Sequence, residues 1–402
     1  MFTQNRTFIL ILFFLSLFSR EIVSETLEEI VVLGDWRQVS ADQEDSSVVL
    51  LDAQTIKSQS MKHFEQLSYL VPNLNFAASD SRARYFQIRG IGERSGYQGT
   101  PNSSVGFLID DIDYSGQGGI ATTFDVEQIE IHRGPQGSRI GANALAGLIY
   151  IRTKEPTDMF EANSEITLGS YGIKSTGLAF GGPFKENENI SYRLAFRKDK
   201  EDGFRKNLYL KQSDTSRKDE STSRLKINWE PSEKTTVKLL VSRVDLNDPA
   251  DIWTLDGSLN TLSDRPGMDS QKTSSYGLKI FQDFEGFEIQ SLTSSTDTDV
   301  IFSYDADWGN EDSWSPFIYD YFSETLRDRG TLGQEFRLVS DAADLKRNKK
   351  IEWIFGVSYL EIKESNLKKD DGNYGDPSDP YGPYACLLYT SDAADESLRV
   401  VL

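Results

Sequence analysis

The chain has 402 residues, of which 38% are hydrophobic and 11% aromatic, and it contains 30 glycines. This mixture suits strands with one polar and one apolar face better than a helical bundle. The formal net charge of −20 argues against a nucleic-acid partner, because phosphate would be repelled, and the single cysteine, Cys386, excludes an intramolecular disulfide.

The first 24 residues are typical of a signal peptide. Arg6 precedes an apolar stretch from Phe8 to Phe18, which is too short to span a bilayer but suits the core of a secretory signal. We expect cleavage after Ser24. No later stretch approaches the roughly eighteen apolar residues of a transmembrane helix, so any membrane crossing is expected from β-strands.

Residues 25–45 form a short segment with an isolated apolar centre, within the run TLEEIVVLG. Such a centre cannot bury itself alone. It is either the first strand of the next domain or a tethered peptide that pairs with the sheet edge of a partner. The residues of interest are Glu28, Glu29, Ile30, Val31, Val32 and Leu33.

A compact α+β domain is predicted for residues 46–157. SSVVLLD indicates a strand, and SMKHFEQLSYLVPNL indicates a helix with Ser60 as a possible N-cap and Pro72 as its end. The strand-like runs RYFQIRGIG, SVGFLIDDIDY, VEQIEIHRG and LIYIRT follow, separated by loops rich in glycine and serine.

The glycine-rich stretch HRGPQGSRIGANALAGLIYIRTKEP, residues 132–156, raises the question of a phosphate-binding loop. Its glycines match neither G-x-G-x-x-G nor G-x-x-x-x-G-K-[ST], and the run that follows alternates like a strand instead of opening a helix. We therefore expect no nucleotide site here.

Polar and apolar residues alternate repeatedly between residues 160 and 385, as in ISYRLAFRK and RLKINWE. A soluble sandwich would bury the apolar face, whereas an outer-membrane barrel would turn that face towards lipid, so alternation alone fits both. The connections favour the barrel, because tight turns such as GSYG contrast with long loops at residues 246–272 and 303–330.

The ordered motifs FQIRGIG, VGFLIDDIDY and VEQIEIHRGPQGSRIGANALAGLIYIRTKEP resemble the plug domain of the TonB-dependent outer-membrane receptors. EEIVVLG resembles their TonB box, and GQEFRLVS resembles a recurring barrel strand. The resemblance implies an α+β plug domain followed by an antiparallel transmembrane β-barrel, which has about 22 strands when complete. It also implies a location in the outer membrane of a Gram-negative bacterium and TonB, with its inner-membrane energising complex, as a partner.

The strand candidates after residue 160 are too few to close such a barrel. In addition, CLLYTSDAADE resembles translated sequencing-adapter read-through. We therefore expect an N-terminal fragment with a partial barrel at residues 160–385 and a non-native tail from about residue 386. The product should not form a heat-resistant barrel without extension of the gene.

Neither a catalytic site nor a metal site nor a cofactor is predicted. His63 and His132 lack any H-E-x-x-H context, and the adjacent Asp110 and Asp111 should point to opposite faces of a strand. DDGNYGDPSDPYG has the acid density of a calcium loop but not the EF-hand spacing.

The predicted function is active uptake of a scarce nutrient chelate across the outer membrane, with a ferric siderophore favoured over cobalamin or oligosaccharide. The alternative from another class is an exported enzyme or adhesin on a soluble β-sandwich. The expected surroundings are outer-membrane lipid, and the chain is not expected to act as an enzyme.

The plug loops are expected to capture substrate with side chains that bind anionic oxygens or stack on rings, unless these side chains only line the lumen and bond to the barrel. These candidates are Arg82, Arg84, Tyr85, Arg94, Tyr97 and Gln98. Four residues are expected to form the sharp, crowded plug turn, namely Gly134, Pro135, Gly137 and Gly141. Glu335 is expected to point inwards and to bind Arg89, Arg133 or both, locking plug to barrel.

Overall fold

A computed structural model describes residues 31–32, 39–40, 47–59, 61–78, 82–94, 103–137, 143–184, 187–340, 353–375, 384–385 and 389–401. The chain divides into two compact units, Met1–Glu44 and Asp45–Leu402. In the first unit, strand β1 (Val31–Val32) pairs antiparallel with β2 (Val39–Ser40). No helix in the described ranges is long and apolar enough to cross a bilayer.

The second unit begins with the predicted α+β domain, which we call the plug. Its strands are β3 (Ser47–Asp52), β4 (Leu74–Ala77), β5 (Tyr85–Ile88), β6 (Val105–Ile109), β7 (Ile112–Asp113), β8 (Val126–Arg133) and β9 (Gly147–Thr153). Five of them form one sheet in the order β3-β8-β9-β6-β7, in which only β6 and β9 are parallel. β4 and β5 form a separate antiparallel pair.

Two short helices lie between β3 and β4. The helix Ala53–Ser58 begins at Asp52, whose side chain accepts a hydrogen bond of 2.7 Å from the backbone of Thr55. The helix Phe64–Leu67 begins at His63 with a capping box and continues as the 3-10 turn Ser68–Leu70. The second helix is therefore shorter than predicted. His63 is its N-cap, while Ser60 lies outside the described residues.

The plug core is built around three buried aromatic rings. Phe64 contacts Phe86 and Phe107 with ring centroids 5.1 Å and 5.9 Å apart, and the latter two stack at 5.3 Å. Ile129 of β8 and Ile149 of β9 are fully buried in the same cluster. The cluster also includes three residues of the sheet that follows residue 160, namely Leu240, Val244 and Leu246.

After residue 160 the described residues form one open sheet of 11 strands, in which neighbouring strands are antiparallel. The members are β10 (Glu161–Leu168), β11 (Lys174–Phe184), β12 (Asn187–Glu201), β14 (Lys218–Ser232), β15 (Thr235–Ala250), β17 (Gly267–Phe284), β18 (Phe287–Asp305), β19 (Ile318–Ser340), β20 (Ile354–Gly375), β21 (Tyr384–Ala385) and β22 (Tyr389–Val401). They pair in chain order up to β20, which holds both β21 and β22. Two short strands in the loops, β13 (Lys206–Asn207) and β16 (Asn260–Thr261), pair in parallel.

The sheet buries its polar face and exposes its apolar face. On β12, Arg193 and Arg197 are buried, while Phe196 between them is 44% exposed. On β14, Lys226 is buried and Trp229 is exposed. This inversion is the arrangement of an outer-membrane barrel, whose outward face meets lipid, and not that of a soluble sandwich.

The two ends of the sheet differ in their connections. Residues 233–234 and 285–286 form tight turns at one end, which we call the short-turn end. Residues 202–217, 251–266 and 306–317 form longer connections at the opposite, long-loop end. The predicted loops 246–272 and 303–330 were too long, because the flanking strands continue into them.

Candidate functional site between the plug and the barrel wall

The glycine-rich turn joins β8 to β9, which pair antiparallel. Gly134 has a φ of +127°, a backbone conformation that favours glycine. Crowding is found instead at Gly147, where a Cβ atom would overlap the carbonyl oxygen of His132 and lie 2.7 Å from the Ile88 side chain. Gly137 has open space around it, Pro135 is exposed, and Gly141 lies outside the described residues.

Arg82 joins the plug to the barrel wall at the long-loop end. Its guanidinium donates two hydrogen bonds of 2.7 Å and 2.9 Å to the carboxylate of Glu220 on β14. A third, of 2.6 Å, goes to Glu65 of the plug. All three side chains are at most 12% exposed. A bidentate pair with a second acceptor is among the stronger arrangements available to arginine.

The titration of the neighbouring plug groups fits this arrangement. Burial lowers the pKa of His63 to about 4, so the ring stays neutral and can accept the backbone hydrogen bond that caps its helix. Burial alone would raise the pKa of Glu65, but the positive charges of Arg82 and of His63, which is protonated in the acidic range where Glu65 titrates, outweigh it and lower that pKa to about 2. Glu65 is therefore a carboxylate at neutral pH and a stable partner for Arg82.

The next two plug residues on the candidate list also contact the wall. Arg84 forms a buried ion pair with Asp269 on β17. The Tyr85 hydroxyl accepts a hydrogen bond of 2.9 Å from Arg327 on β19. Arg82, Arg84 and Tyr85 thus hold the plug, which is the lumen-lining alternative left open by the sequence. Arg94 is exposed, and Tyr97 and Gln98 lie outside the described residues.

Asp110 and Asp111 occupy a two-residue turn between β6 and β7, and not a strand as expected. Their φ values of 52° and 70° are those of a type I′ hairpin turn. Asp110 accepts hydrogen bonds from the Thr153 backbone and hydroxyl, at 2.9 Å and 2.6 Å. The turn aims both carboxylates at the barrel wall.

Three barrel lysines meet these plug carboxylates. Lys226 on β14 donates to Asp110 at 3.0 Å and to Glu155 at 2.7 Å, while Lys279 on β17 pairs with Asp111. Lys238 on β15 lies 3.3 Å from the other oxygen of Glu155. The three lysines line a small cleft between plug and wall together with Asp110 and Glu155. The alternating pattern of the strands places these lysines on the polar, inward face. It does not identify the plug carboxylates as their partners.

The wall of β14 and β17 therefore carries both signs of charge. Near the long-loop end it presents Glu220 and Asp269 to plug arginines, and nearer the short-turn end it presents Lys226 and Lys279 to plug aspartates. The complementary order fixes the height and rotation of the plug, because a displaced plug would leave buried charges unpaired.

A further anchor lies at Phe124 and Asp125. Asp125 accepts two hydrogen bonds of 2.9 Å and 2.6 Å from Arg193 on β12. Phe124 lies 5.5 Å beneath the guanidinium of Arg197, and its carbonyl accepts from Arg224 at 3.1 Å. The plug is thus held along β12, β14, β15, β17 and β19.

The expected lock through Glu335 is corrected by the structure. Glu335 accepts from Arg337, two residues along its own strand, at 2.5 Å and 2.6 Å. Arg89 is exposed, and the Nε of Arg133 is buried without a hydrogen-bond partner among the described residues. Alternation on one strand puts Glu335 and Arg337 on the same face, where they pair with each other.

The segment that resembles a TonB box lies partly outside the described residues. Val31 and Val32 form β1, paired with β2, whereas Glu28, Glu29, Ile30 and Leu33 are among the residues not described. Its role stays a prediction. So does the proposal that residues from about 386 are non-native; residues 389–401 pair with β20.

Residues 40–148 match the family described as TonB-dependent Receptor Plug Domain. The chain is 24% identical over 194 residues to the ferric enterobactin receptor PirA of Pseudomonas aeruginosa, covering 44% of this chain and 26% of that protein. It is 29% identical over 97 residues to the vitamin B12 transporter BtuB of Vibrio vulnificus, covering 24% of this chain and 16% of that protein. The chain thus matches about a quarter or less of the length of these relatives.

The fold is also that of a solved structure, the ferric yersiniabactin uptake receptor FyuA from Yersinia pestis. The TM-score is 0.68 at 18% identity, over 86% of this chain and 51% of that chain. At this identity the likeness concerns the fold, namely a plug domain followed by antiparallel barrel strands.

Proposed function

We propose that this chain, which belongs by its plug domain to the TonB-dependent receptors of the Gram-negative outer membrane, serves the energised uptake of a ferric siderophore. The observation that carries the proposal is the charge-matched seat of the plug on the inner wall. A substrate can cross only if the plug moves or rearranges. The protein would bind and carry its substrate without changing it chemically.

The ion pairs explain why an external source of energy is needed. Breaking one side of a buried ion pair costs about 3–5 kcal/mol, and the described wall holds several, including Arg82–Glu220, Arg84–Asp269 and Arg193–Asp125. Substrate binding alone would have to supply that free energy and still leave the substrate free to dissociate. A pull on the N-terminal segment by TonB, through residues 28–33, supplies it instead.

Substrate capture is assigned to the remaining candidates of the sequence. Arg82 and Arg84 pair with carboxylates of the wall, whereas Arg94 is exposed, and Tyr97 and Gln98 lie outside the described residues; we take these three as the candidate contacts. The chemistry of an arginine, a phenol and an amide suits an anionic chelate with ring systems. The similarity to a ferric enterobactin receptor supports the same substrate class, and the similarity to a vitamin B12 transporter makes cobalamin the second candidate.

Uptake by cells that lack other receptors for these substrates tests the proposal. Cells carrying the full-length gene are given iron-labelled ferric enterobactin or labelled cyanocobalamin, with and without a protonophore. We expect protonophore-sensitive accumulation of the ferric chelate only. Accumulation of cyanocobalamin alone would show that the substrate is a cobalamin and not a ferric siderophore. Accumulation that is insensitive to the protonophore would contradict energised transport.

A further inference from the structure

Three lysines gather on the outward face of the hairpin formed by β11 and β12, close to the long-loop end. Lys174 and Lys200 lie directly opposite each other in the strand register, and Lys198 follows two residues from Lys200 on the same face. Ser175, Arg197 and Asp199, which alternate with them, are buried towards the plug. The lysines therefore point out of the barrel.

One carboxylate forms ion pairs with this group of lysines. Asp219 on β14 pairs with Lys198 and lies 3.5 Å from Lys200. Like charges directly opposite on neighbouring strands are destabilising, and one carboxylate leaves two of the three positive charges unbalanced. In a chain with a net charge of −20, this excess of outward positive charge is a local exception.

The distance of the lysines from the exposed apolar side chains of the outward face determines whether they lie among lipid tails or lipid headgroups. Leu178 and Phe196, opposite each other and both 44% exposed, are the last outward apolar pair before them. With about 3.4 Å per residue, Lys198 and Lys200 lie about 7 Å and 14 Å beyond Phe196 along the strand. Their ammonium groups thus reach the level of lipid headgroups, where an unpaired cation is tolerated and a phosphate is a partner.

Two exposed aromatic rings adjoin the lysines. Tyr171 and Phe204 are 60% and 47% exposed and meet edge to face with centroids 5.9 Å apart. The Asp202 backbone donates to the Tyr171 carbonyl at 2.9 Å, which ties the loops of the two rings together. Aromatic rings at the membrane interface pack against amphipathic groups such as the faces of sugars.

We propose that Lys174, Lys198 and Lys200, with Tyr171 and Phe204, bind a phosphorylated glycolipid of the outer leaflet. The lysines take the phosphate and the rings take a sugar face. This patch is separate from the uptake path, since it lies on the opposite face of the sheet from the plug. It would fix the rotation and depth of the receptor in the membrane.

The test measures bound lipid and needs no transport. The protein is extracted from outer membranes in mild detergent as the unchanged chain, as the patch variant K174Q/K198Q/K200Q, and as the control variant K234Q/K272Q/K363Q. The control removes the same charge from other exposed lysines. Phosphorylated lipid A retained per chain is measured by mass spectrometry, and purified lipid A or phosphatidylglycerol is then added back to delipidated protein.

We expect the patch variant to retain at least about five-fold less lipid A than the unchanged chain, and the control to retain the normal amount. Lipid A, and not phosphatidylglycerol, should rebind to the unchanged chain. Equal retention by all three proteins would overturn the proposal. Equal rebinding of phosphatidylglycerol would overturn its glycolipid specificity. Resistance of the plug to trypsin checks that each variant is folded.

Discussion

The pair of Arg82 and Glu220 allows a sharp test of how the plug is held. Replacing Glu220 with glutamine removes one charge but keeps the shape and one hydrogen-bond acceptor. Both side chains are less than 10% exposed, so water screens the pair little. Losing one side of a buried pair costs about 3–5 kcal/mol, and because Arg82 keeps Glu65 at 2.6 Å, we expect a loss of about 2–3 kcal/mol.

The preceding residue on the same strand provides a matched control. Asp219 faces outward, is 32% exposed, and pairs with lysines that are themselves half exposed. Exposed pairs contribute well under 1 kcal/mol in most cases. Asp219→Asn should therefore leave the stability of the plug unchanged within error.

Urea titration of the purified protein measures both effects, with protease protection of the plug as the probe. At a denaturant slope of about 1–2 kcal/mol per molar, Glu220→Gln should lower the midpoint by about 1–3 M. Equal midpoints for Glu220→Gln and the unchanged chain would show that the pair does not hold the plug. A similarly large decrease in the urea midpoint of Asp219→Asn would show that losing one negative charge destabilises the plug whether or not the residue is buried.

Three further predictions concern the plug and its seat. Gly147→Ala should destabilise the plug by about 2–4 kcal/mol, because its Cβ atom would overlap the His132 carbonyl. Gly137→Ala, which places its Cβ atom in open space, should leave the stability unchanged, and equal urea midpoints for the two variants would refute this prediction. His63 has its pKa lowered to about 4 by burial, so the unfolded state binds more protons below pH 6.5, and about 3 kcal/mol should be lost as the pH falls from 6.5 to 4. His63→Asn, which can still cap the helix, should flatten that pH dependence in the same titration, and a retained slope would assign it to other groups. Lys226→Met should cost about 2–4 kcal/mol because it leaves the buried Asp110 without a cation and Glu155 with Lys238 alone. Lys238→Met should cost less than about 1 kcal/mol, because Lys238 is partly exposed and pairs with Glu155 alone, at 3.3 Å; the reverse order of urea midpoints would contradict the assigned seat.

The architecture follows from local patterns in the sequence, and the contacts of the site mostly do not. Alternation such as that of ISYRLAFRK determines which residues face inward, and the buried Arg193 and Arg197 confirm it. The pattern does not say which inward residue meets which plug residue. That depends on strand register and on the height of the plug, which long-range packing sets.

Two particular errors show where the information was missing. The run IDDI lacks the Asn-Gly or Asp-Gly signal of a hairpin, so Asp110 and Asp111 were placed in a strand, although both adopt positive φ in a turn. Glu335 was assigned to the plug arginines from a family motif, whereas Arg337 on the same strand face satisfies it. The spacing of two residues between Glu335 and Arg337 on one strand already predicts that they share a face and can pair.

The central claim, that uptake is driven by a pull on the N-terminal segment, is tested most directly by Val31→Pro. Val31 pairs with Ser40 in a short strand, and proline removes its backbone donor and fixes φ. We expect ferric enterobactin to bind the variant normally and its uptake to fall to the level of protonophore-treated cells, while Val31→Thr, which keeps the backbone donor, transports normally. Full energised uptake by Val31→Pro would contradict the account.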